Sequence, residues 1–398
     1  MKGSNAKQNK AANLRLVLSQ IVTLGPISRA EIARNTQLTK QTITNMVEEL
    51  IGVNLIEEVG LKRSEGAGKP SKMLCLNKSA AYTLAIRVSS ELLELSIHHL
   101  NGTSLTKSGI RTDKMSTPHR IAQEFEHLIA QNGLNHQKFL AAGLSVQSPH
   151  GNSLEQYQAG RTLQVELSQK LAMPIAIETT ASACAAYQML FGEAKTLHNF
   201  IYIHIGSKVE SAVVYDRQIM LGQNGLTGAL GNIFVTPETN TTTGELGTLN
   251  EFASTTSLRQ YVEKQNKQSV NCVKLLDPKE NSACKNWITR ATEPLRIAIH
   301  TLESILNTQT IIIGGDLGEA CLETLISELR PFIPSIAQLG KREIIRLIKV
   351  PNQTYTSLAG ISTLPLHASF NEKNMQTLYT SPTFAPSLLQ QLIYTYVE

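Results

Sequence analysis

The sequence predicts an α/β protein that carries a separate basic helical domain at its N-terminus. The chain has 398 residues and a net charge of +5, but residues 1–80 contain 12 Lys and Arg against 6 Asp and Glu, whereas the rest contains 25 basic and 26 acidic residues. Residues 1–80 also contain no Phe, Trp or Tyr. From residue 81 onward, short β-rich runs alternate with helical patterns, which is typical of α/β architecture. A basic module of this kind indicates nucleic acid as a partner.

Composition excludes several other classes of protein. With 41% apolar and 17% charged residues, the chain is neither disordered nor collagen-like, and its length suits two or three domains. The N-terminal residues lack the apolar core of a signal peptide, and no apolar window approaches about 20 residues. We therefore expect a cytoplasmic protein without membrane insertion. The five cysteines lack the spacing of metal ligands, and the sequence predicts neither a metal nor another cofactor.

Three helices are predicted in the first 80 residues. Apolar residues recur at helical spacing from 14 to 22. Ser28 and Glu31 have the spacing of a capping box, in which each side chain bonds the other residue's free amide at a helix start. Thr39 is suited to cap a third helix that runs from Lys40 to about Ile51.

The third helix has the two faces that a DNA recognition helix needs. One face is apolar, and the other presents short polar and amide side chains that can reach base edges. Two β-rich runs joined by a glycine-rich basic tip follow it, which indicates a wing that meets phosphates or a minor groove. A three-helix module that binds protein instead of DNA is the alternative. The predicted DNA-binding residues are Ser28, Arg29, Thr39, Lys40, Gln41, Thr42, Thr44, Asn45, Lys62, Arg63 and Lys69.

Over nearly its entire length the sequence resembles the ROK family (repressors, open reading frames and sugar kinases), specifically its repressor branch. The stretches that carry the resemblance include ISRAEIARNTQLTKQTITNMVEELIGVNLIEEVG, IETTASACAAYQMLFGEA, NFIYIHIGSKVESAVVYDRQIMLGQNGLTGALGN and TIIIGGDLGEA. The resemblance implies a winged helix-turn-helix followed by a two-lobed actin-like, sugar-kinase-type module. It also implies binding to operator double-stranded DNA as a homodimer or homotetramer. The predicted domains are residues 1–80, a first α/β lobe at 81–195, and a second, dimerising lobe at 196–398 whose C-terminal helix packs back on the first lobe.

The chain departs from the family's kinases at their phosphate-binding turns and at their catalytic base. Their Asp-x-Gly-Gly-Thr turn corresponds here to Arg87, Ser89, Ser90 and Glu91, and a second glycine-rich turn corresponds to residues 206–212. Side chains therefore replace bare backbone where a nucleotide must approach. The Asn-Asp pair that opens the following helix in kinases is replaced by Thr179 and Thr180, and a threonine cannot act as a base near neutral pH. Glu178, beside this pair, is interpreted as the end of a strand or the start of a helix, with a substitute for the missing base as the alternative.

The sugar-contacting and zinc-binding residues of the family also differ. The motif Glu-x-Gly-His becomes residues 229–232, which end in Asn232, and a further glutamate becomes Asn250. Residues 232–250 contain no His or Cys, so the family's structural zinc site is predicted to be absent. Amides and hydroxyls can still pair with a neutral sugar. The predicted effector-pocket residues are His150, Thr179, Thr180, Asn224, Asn232 and Asn250.

The function predicted from these observations is that of a DNA-binding transcriptional regulator. We expect a repressor of carbohydrate-related genes with a catalytically inactive, kinase-like module for dimerisation and for a sugar-like or protein effector. Two alternatives remain open at this point: an active sugar kinase with a DNA-binding arm, and a protein-binding scaffold. Sugar-dependent ATP turnover would distinguish the first alternative, and binding to promoter DNA would exclude the second.

Overall fold

The computed structural model describes residues 6–62, 70–89, 92–111, 117–147, 154–222, 225, 227–235, 246–339, 346–350, 356–370 and 372–394. Its α-helices are α1 (Ala6–Leu24), α2 (Arg29–Thr36), α3 (Lys40–Gly52), α4 (Pro118–Asn132), α5 (Leu154–Leu171), α6 (Thr180–Leu190), α7 (Leu249–Ala253), α8 (Thr255–Asn266), α9 (Ser282–Leu306), α10 (Glu319–Glu328), α11 (Thr356–Ala368), α12 (Glu372–Met375) and α13 (Leu388–Ile393). Among these described segments, none is a helix long and apolar enough to cross a membrane.

The described strands fall into three main sheets and one two-stranded pair. They are β1 (Ile27–Ser28), β2 (Ile56–Lys62), β3 (Ser71–Leu76), β4 (Tyr82–Val88), β5 (Leu92–His99), β6 (Ser104–Arg111), β7 (Phe139–Val146), β8 (Ile175–Ile177), β9 (Phe200–Ile205), β10 (Val209–Tyr215), β11 (Gln218–Ile219), β12 (Phe234–Val235), β13 (Gly247–Thr248), β14 (Ile311–Gly315), β15 (Leu347–Lys349) and β16 (Leu378–Tyr379).

The N-terminal domain consists of α1, α2 and α3 with a small antiparallel sheet in the order β1-β3-β2. Both predicted helix starts are confirmed. Ser28 and Glu31 form the complete capping box of α2, and the Thr39 hydroxyl accepts a hydrogen bond from the amide of Thr42 at the start of α3. The apolar face of each helix meets in a fully buried core that includes Ile32 and Val47, which fixes the polar face of α3 outward.

The first sheet has six strands in the order β16-β8-β7-β4-β5-β6. The predicted hairpin of β4 and β5 is confirmed, because the two strands pair antiparallel from Tyr82–His99 to Val88–Leu93. The part of the chain from α11 onward, which belongs to the predicted second lobe, returns to this sheet. Strand β16 pairs with β8, and the Gln390 side chain of α13 donates to the carbonyls of Phe139 (3.3 Å) and Leu140 (2.8 Å). We call this sheet and the helices on it the first lobe.

The second sheet has five strands in the order β11-β10-β9-β14-β15, with β9, β14 and β15 parallel. Helices α7 to α10 pack on it around the fully buried Trp287, whose indole N–H donates to the Ser257 hydroxyl at 3.1 Å. Parallel strands covered by helices are buried on both faces, which accounts for the apolar runs at 200–205 and 311–313. We call this sheet and its helices the second lobe.

Helices α6 and α11 pack against each other between the two sheets, and small residues bring their backbones together. A Cβ atom on Gly360 of α11 would lie 2.8 Å from the amide nitrogen of Cys184 in α6. A Cβ atom on Gly143 of β7 would lie 1.8 Å from the carbonyl oxygen of Ile361 in α11. Glycine at these positions lets α11 touch β7 on one side and α6 on the other.

We expect Gly143→Ala to lower the free energy of unfolding by about 1–3 kcal/mol, since the added methyl group overpacks a backbone contact. Urea denaturation measures this change. Gly109→Ala is the matched control, because Gly109 lies in β6 of the same sheet with no atom within 4 Å of the added Cβ. Equal effects of the two substitutions would contradict the close contact between β7 and α11.

Candidate functional site

A buried ion pair joins the two lobes. Arg87 lies near the end of β4 in the first sheet, and Asp316 directly follows β14 in the second. Nη1 of Arg87 donates to Oδ1 of Asp316 at 3.1 Å, and Nη2 donates to Oδ2. The exposed side-chain fractions are only 9% for Arg87 and 13% for Asp316. Two parallel bonds of this type fix the orientation of both groups as well as their distance.

Gly315 places Asp316 at this point. It has a φ of +148°, and a Cβ atom there would lie 2.2 Å from the carbonyl oxygen of Ile205. The chain therefore passes close to the end of β9, where the amide of Asp316 donates to the Ile205 carbonyl at 2.8 Å. Glycine is thus required at 315 by this turn, which brings the carboxylate into the space between the sheets.

A hydrogen-bond network extends from the ion pair to the start of α6. Nη2 of Arg87 also donates to the Gln147 side-chain oxygen at 3.1 Å, and Gln147 in turn donates to the Thr180 hydroxyl at 3.2 Å. That hydroxyl also lies 2.9 Å from the hydroxyl of Ser145. On its other side, Nη1 of Arg87 donates to Glu94 of β5 at 3.2 Å. The phosphate-turn position and the catalytic-base position of the kinases are therefore linked through Gln147.

Three cationic groups surround the Asp316 carboxylate. Besides Arg87, Nε2 of His204 lies 3.6 Å from Oδ2, and Nζ of Lys274 lies 3.5 Å from Oδ1. Burial by itself raises the pKa of Asp316, but Arg87, His204 and Lys274 outweigh burial and hold this pKa well below its ordinary value. Burial likewise lowers the pKa of His204, yet contacts with Asp316 and the Cys184 thiol raise it to about 9. The neighbouring carboxylate therefore favours the protonated form of His204.

This histidine makes the stability of the protein depend on alkaline pH. The pKa of His204 is raised in the folded state relative to an unfolded value near 6.5. Its stabilising contribution is consequently complete below about pH 6.5 and is lost as the pH rises through about 9. We expect the difference in melting temperature between the wild type and His204→Gln to shrink between pH 6.5 and pH 9.5. Parallel pH profiles for the two proteins would contradict a charged His204.

Side chains fill the region that corresponds to the second phosphate turn. The hairpin between β9 and β10 contains Gly206, and a Cβ atom there would lie 2.9 Å from Nε2 of His204 and 3.3 Å from Oδ2 of Asp316. Two residues further, the Lys208 ammonium is buried with no hydrogen-bond partner in the described part of the chain. Burial lowers the pKa of Lys208, against the opposing effect of Glu210. The hairpin therefore carries the charged side chains of Lys208 and Glu210 where the kinases have glycines.

The structure brings some predicted effector-pocket residues together and gives others a structural contact. Asn250 donates to the side-chain oxygen of Asn232 at 3.1 Å and accepts a bond from the Val209 amide at 2.8 Å. Thr179 is the N-cap of α6 and bonds the amide of Ser182. Thr180 is fully buried, and its hydroxyl already has the partners described above. His150 and Asn224 lie outside the described residues.

Glu178 has a raised pKa, which the sequence pattern did not reveal. It follows β8, as predicted for a strand end, and its carboxylate accepts a bond from the Thr179 amide at 3.3 Å. Burial raises the pKa of Glu178 to about 7, while the Thr179 amide and Arg161 oppose this rise. Glu178 can therefore gain or lose a proton near neutral pH, and it lies at the same end of α6 as Thr179.

The predicted DNA-binding residues of α3 lie on its outer face. Lys40, Gln41 and Asn45 are exposed, and the Gln41 amide donates to the Asn45 side chain at 2.8 Å. The hydroxyl of Thr44 donates to the Lys40 carbonyl at 2.9 Å. These contacts leave the Lys40 ammonium and the donor side of the Asn45 amide directed away from the helix core, which suits contact with a polar surface.

Other predicted DNA-binding residues cap helices or form an ion pair within the N-terminal domain. Ser28 is buried in its capping box, and Thr39 caps α3. Arg29 forms an ion pair with Glu58 of β2 at 3.0 Å. Lys62 ends β2, whereas Arg63 and Lys69 lie outside the described residues.

The family's zinc ligands have no counterpart here. Asn232 occupies the histidine position, and residues 232–250 contain no cysteine to complete a tetrahedral site. Within the described ranges, no group of three or more His, Cys, Asp or Glu is placed to hold a metal ion.

Two α/β lobes that meet over α6 and α11, with a small three-helix domain ahead of them, define a sugar-kinase-like fold with an added N-terminal domain. The sequence model described as the ROK family matches residues 83–364. The chain belongs to the ROK family, and both the resemblance and the mixed α/β fold class are confirmed.

Relatives and solved structures agree with this assignment. A xylose repressor of Bacillus subtilis strain 168 is 26% identical over 240 residues, which cover 57% of this chain and 61% of that repressor. A xylose repressor of Caldicellulosiruptor bescii is 24% identical over 375 residues, or 85% of this chain and 92% of that protein. The first of these matches thus spans less than two thirds of the relative's length.

Among solved structures, a ROK family transcriptional regulator, a homolog of the Escherichia coli MLC protein, has a TM-score of 0.66 at 20% identity, with 97% of this chain and 99% of that chain covered. A ROK family glucokinase from Streptomyces griseus, in complex with glucose and AMPPNP, has a TM-score of 0.55 at 15% identity, with 71% of this chain and 99% of that chain covered. These likenesses establish the fold.

Proposed function

We propose that this protein is a DNA-binding transcriptional regulator whose kinase-like module is catalytically inactive. In this proposal residues 1–80 form a winged helix-turn-helix that binds operator double-stranded DNA. Residues 81–398 form the two lobes of a module that dimerises and responds to an effector, and the segment from α11 onward belongs to the first lobe. Repression of carbohydrate-related genes is the expected outcome, since the relatives named above are xylose repressors.

The Arg87–Asp316 pair carries the proposal of inactivity. In a kinase the corresponding turn must admit the phosphates of a nucleotide with its metal ion. Here a guanidinium from one lobe and a carboxylate from the other already satisfy each other in that region, and the contact buries both groups. A nucleotide could enter only by separating a buried bidentate pair, which costs several kcal/mol.

The outer face of α3 supports DNA binding. Its N-terminal half presents Lys40, Gln41 and Asn45, and side chains at this end of a recognition helix reach base edges in the major groove. Asn and Gln read adenine by paired hydrogen bonds, while Lys contacts guanine or phosphate. Ser28 and Thr39 fix the starts of α2 and α3, so their part in DNA binding is to set the angle between the two helices.

For the effector we propose a neutral, sugar-like ligand at the N-terminal end of α6. Thr179, Glu178, Asn232 and Asn250 supply hydroxyl, carboxylate and amide groups of the kind that pair with sugar hydroxyls. Dimerisation would carry two winged helices to two half-sites, and movement of the lobes would change their spacing.

A mobility-shift assay tests the DNA-binding proposal. Genome-wide mapping of bound sites provides the operator, and we expect the full chain to bind it with an affinity that falls as salt concentration rises. Absence of any enriched site would contradict the proposal and favour a protein-binding scaffold.

The raised pKa of Glu178 favours one second candidate, an active sugar kinase in which this carboxylate takes the proton from a sugar hydroxyl. We expect no sugar-dependent ATP turnover, because the charged side chains described above fill the phosphate region. Turnover that Glu178→Gln abolishes would establish the kinase and overturn the inactive module.

A further inference from the structure

A cavity of about 470 Å³ lies between the N-terminal domain and the kinase-like module. The cavity is lined by Gln20 and Thr23 of α1, by Leu190 at the end of α6, and by Lys195, Arg217 and His367. Its volume falls in the range that small-molecule sites occupy. Because both domains contribute to its walls, a molecule bound here would contact the DNA-binding domain and the module at once.

Arg217 contributes a positive charge to the lining of this cavity. This residue lies in the tight turn between β10 and β11, and its guanidinium donates to the carbonyls of Lys195 (2.6 Å), Leu197 (3.4 Å) and Met189 (3.3 Å). No carboxylate of the described residues lies within ion-pair distance of it. Burial lowers the pKa of Arg217, which still keeps its charge. A half-buried cation that is bonded only to neutral carbonyls leaves its charge without compensation.

Lys195 adds a second positive charge to the same lining. Its ammonium has no hydrogen bond or ion pair to the part of the chain that the structure describes. His367 is buried and neutral, because burial and then the charge of Arg217 lower its pKa to about 4. The acidic residue of the lining, Asp216, lies 3.5 Å from Nδ1 of His198 and is exposed. Arg217 and Lys195 therefore line the cavity, and no carboxylate of the described residues, Asp216 included, lies within ion-pair distance of either.

We propose that this cavity binds a small organic anion, through a phosphate or carboxylate group that Arg217 and Lys195 neutralise. Charge-assisted bonds of this type are the strong ones, and Arg217 keeps free N–H groups for them. The polar groups of Gln20 and Thr23 would complete the contact from α1. The bound anion would then hold the N-terminal domain against the module.

The cavity is connected to the other end of α6. This helix begins at Thr180, in the hydrogen-bond network with Gln147 and Arg87, and ends at Leu190, in the cavity wall. Its 11 residues span roughly 16 Å at 1.5 Å per residue. Occupation of either end can thus bias the position of the same helix. This regulatory consequence rests on the proposed function, whereas binding of the anion does not.

Isothermal titration calorimetry of the full chain with inorganic phosphate and with citrate tests the site, and the two anions distinguish a phosphate ligand from a carboxylate ligand. We expect at least one to bind with a dissociation constant below about 1 mM, where glycerol gives no heat. Lys195→Gln should weaken binding at least tenfold by removing one cation. Lys170→Gln, at an exposed position of α5, is the matched control and should change the affinity less than twofold.

Hydrogen exchange gives a second measurement that does not depend on DNA. With the binding anion present, amides at the C-terminal end of α1 should exchange more slowly in the wild type and at an unchanged rate in Lys195→Gln. Lack of binding, or binding that Lys195→Gln leaves intact, overturns the proposed site. Loss of operator binding by the protein without any anion counts instead against the proposed function, so the two failures are distinguishable.

Discussion

Replacing Asp316 with alanine is expected to lower the free energy of unfolding by about 3–5 kcal/mol. The substitution leaves the Arg87 guanidinium buried without its bidentate partner and also removes the carboxylate beside the charged His204. The cost arises mainly from these uncompensated charges and not from the lost attraction alone. Urea denaturation of the two proteins measures the difference.

Glu323→Ala is the control for Asp316→Ala. Glu323 also forms an ion pair, with Lys349, but its side chain is 59% exposed. An exposed pair contributes little to stability, because water screens the attraction. A similar, small loss in both variants would mean that the contact between the lobes is solvated and does not exclude a nucleotide.

The double variant Arg87→Met, Asp316→Leu distinguishes two effects of the ion pair, its effect on the free energy of unfolding and its effect on how the two lobes are connected. Replacing a buried ion pair with apolar side chains of similar volume is often neutral for stability. We expect this variant to recover the part of the loss in Asp316→Ala that comes from the unpaired Arg87 guanidinium, but not the part that comes from His204, which still lacks its carboxylate. A change in operator affinity without loss of stability would assign the pair a part in regulation.

Asn45→Ala is expected to weaken operator binding by about 1–3 kcal/mol, or roughly 5- to 150-fold, if Asn45 makes the paired contact with adenine that its position on α3 permits. Lys40→Ala should lower the affinity for all sequences and reduce the dependence of log K on log salt by about one unit, if Lys40 contacts a phosphate. Titrations at several salt concentrations measure both effects.

The chain offers matched controls for these two variants in α8. Asn266 and Lys264 are exposed residues of the same types on a helix of the second lobe. Asn266→Ala and Lys264→Ala should leave operator affinity within about twofold. If Asn45→Ala behaves like Asn266→Ala, α3 is not the recognition helix.

Local features of the fold could be predicted from the sequence because neighbouring residues determine them. The capping box of Ser28 and Glu31 depends on residues three apart, and the β4–β5 hairpin depends on alternation and a turn signal. Local patterns did not predict the partner of Arg87. The sequence showed only that an arginine stands where the kinases have a carboxylate. Its partner Asp316 is 229 residues away, and no local pattern joins them.

For the candidate site, the sequence predicted which residues differ from the kinases but not their burial or their partners. The replacement of the kinase residues at Thr179, Thr180 and Asn250 was visible in the sequence, but the burial of the Thr180 hydroxyl was not. The raised pKa of Glu178 also requires three-dimensional information, because it results from burial that several distant segments produce. The cavity beside α1 is similar, since α1, the β10–β11 turn and the end of α11 meet only in the folded chain.

The contact of α11 with β7 and α6 has a mechanical consequence. Where side chains separate two elements, the elements can slide past each other by changing rotamers, as in shear motions of packed helices. At Gly143 and Gly360 backbone meets backbone, so there is no side-chain layer to rearrange. We expect the two lobes to move relative to each other by rotation about this contact and not by sliding. The displacement that an effector causes in a lobe then increases with distance from the contact.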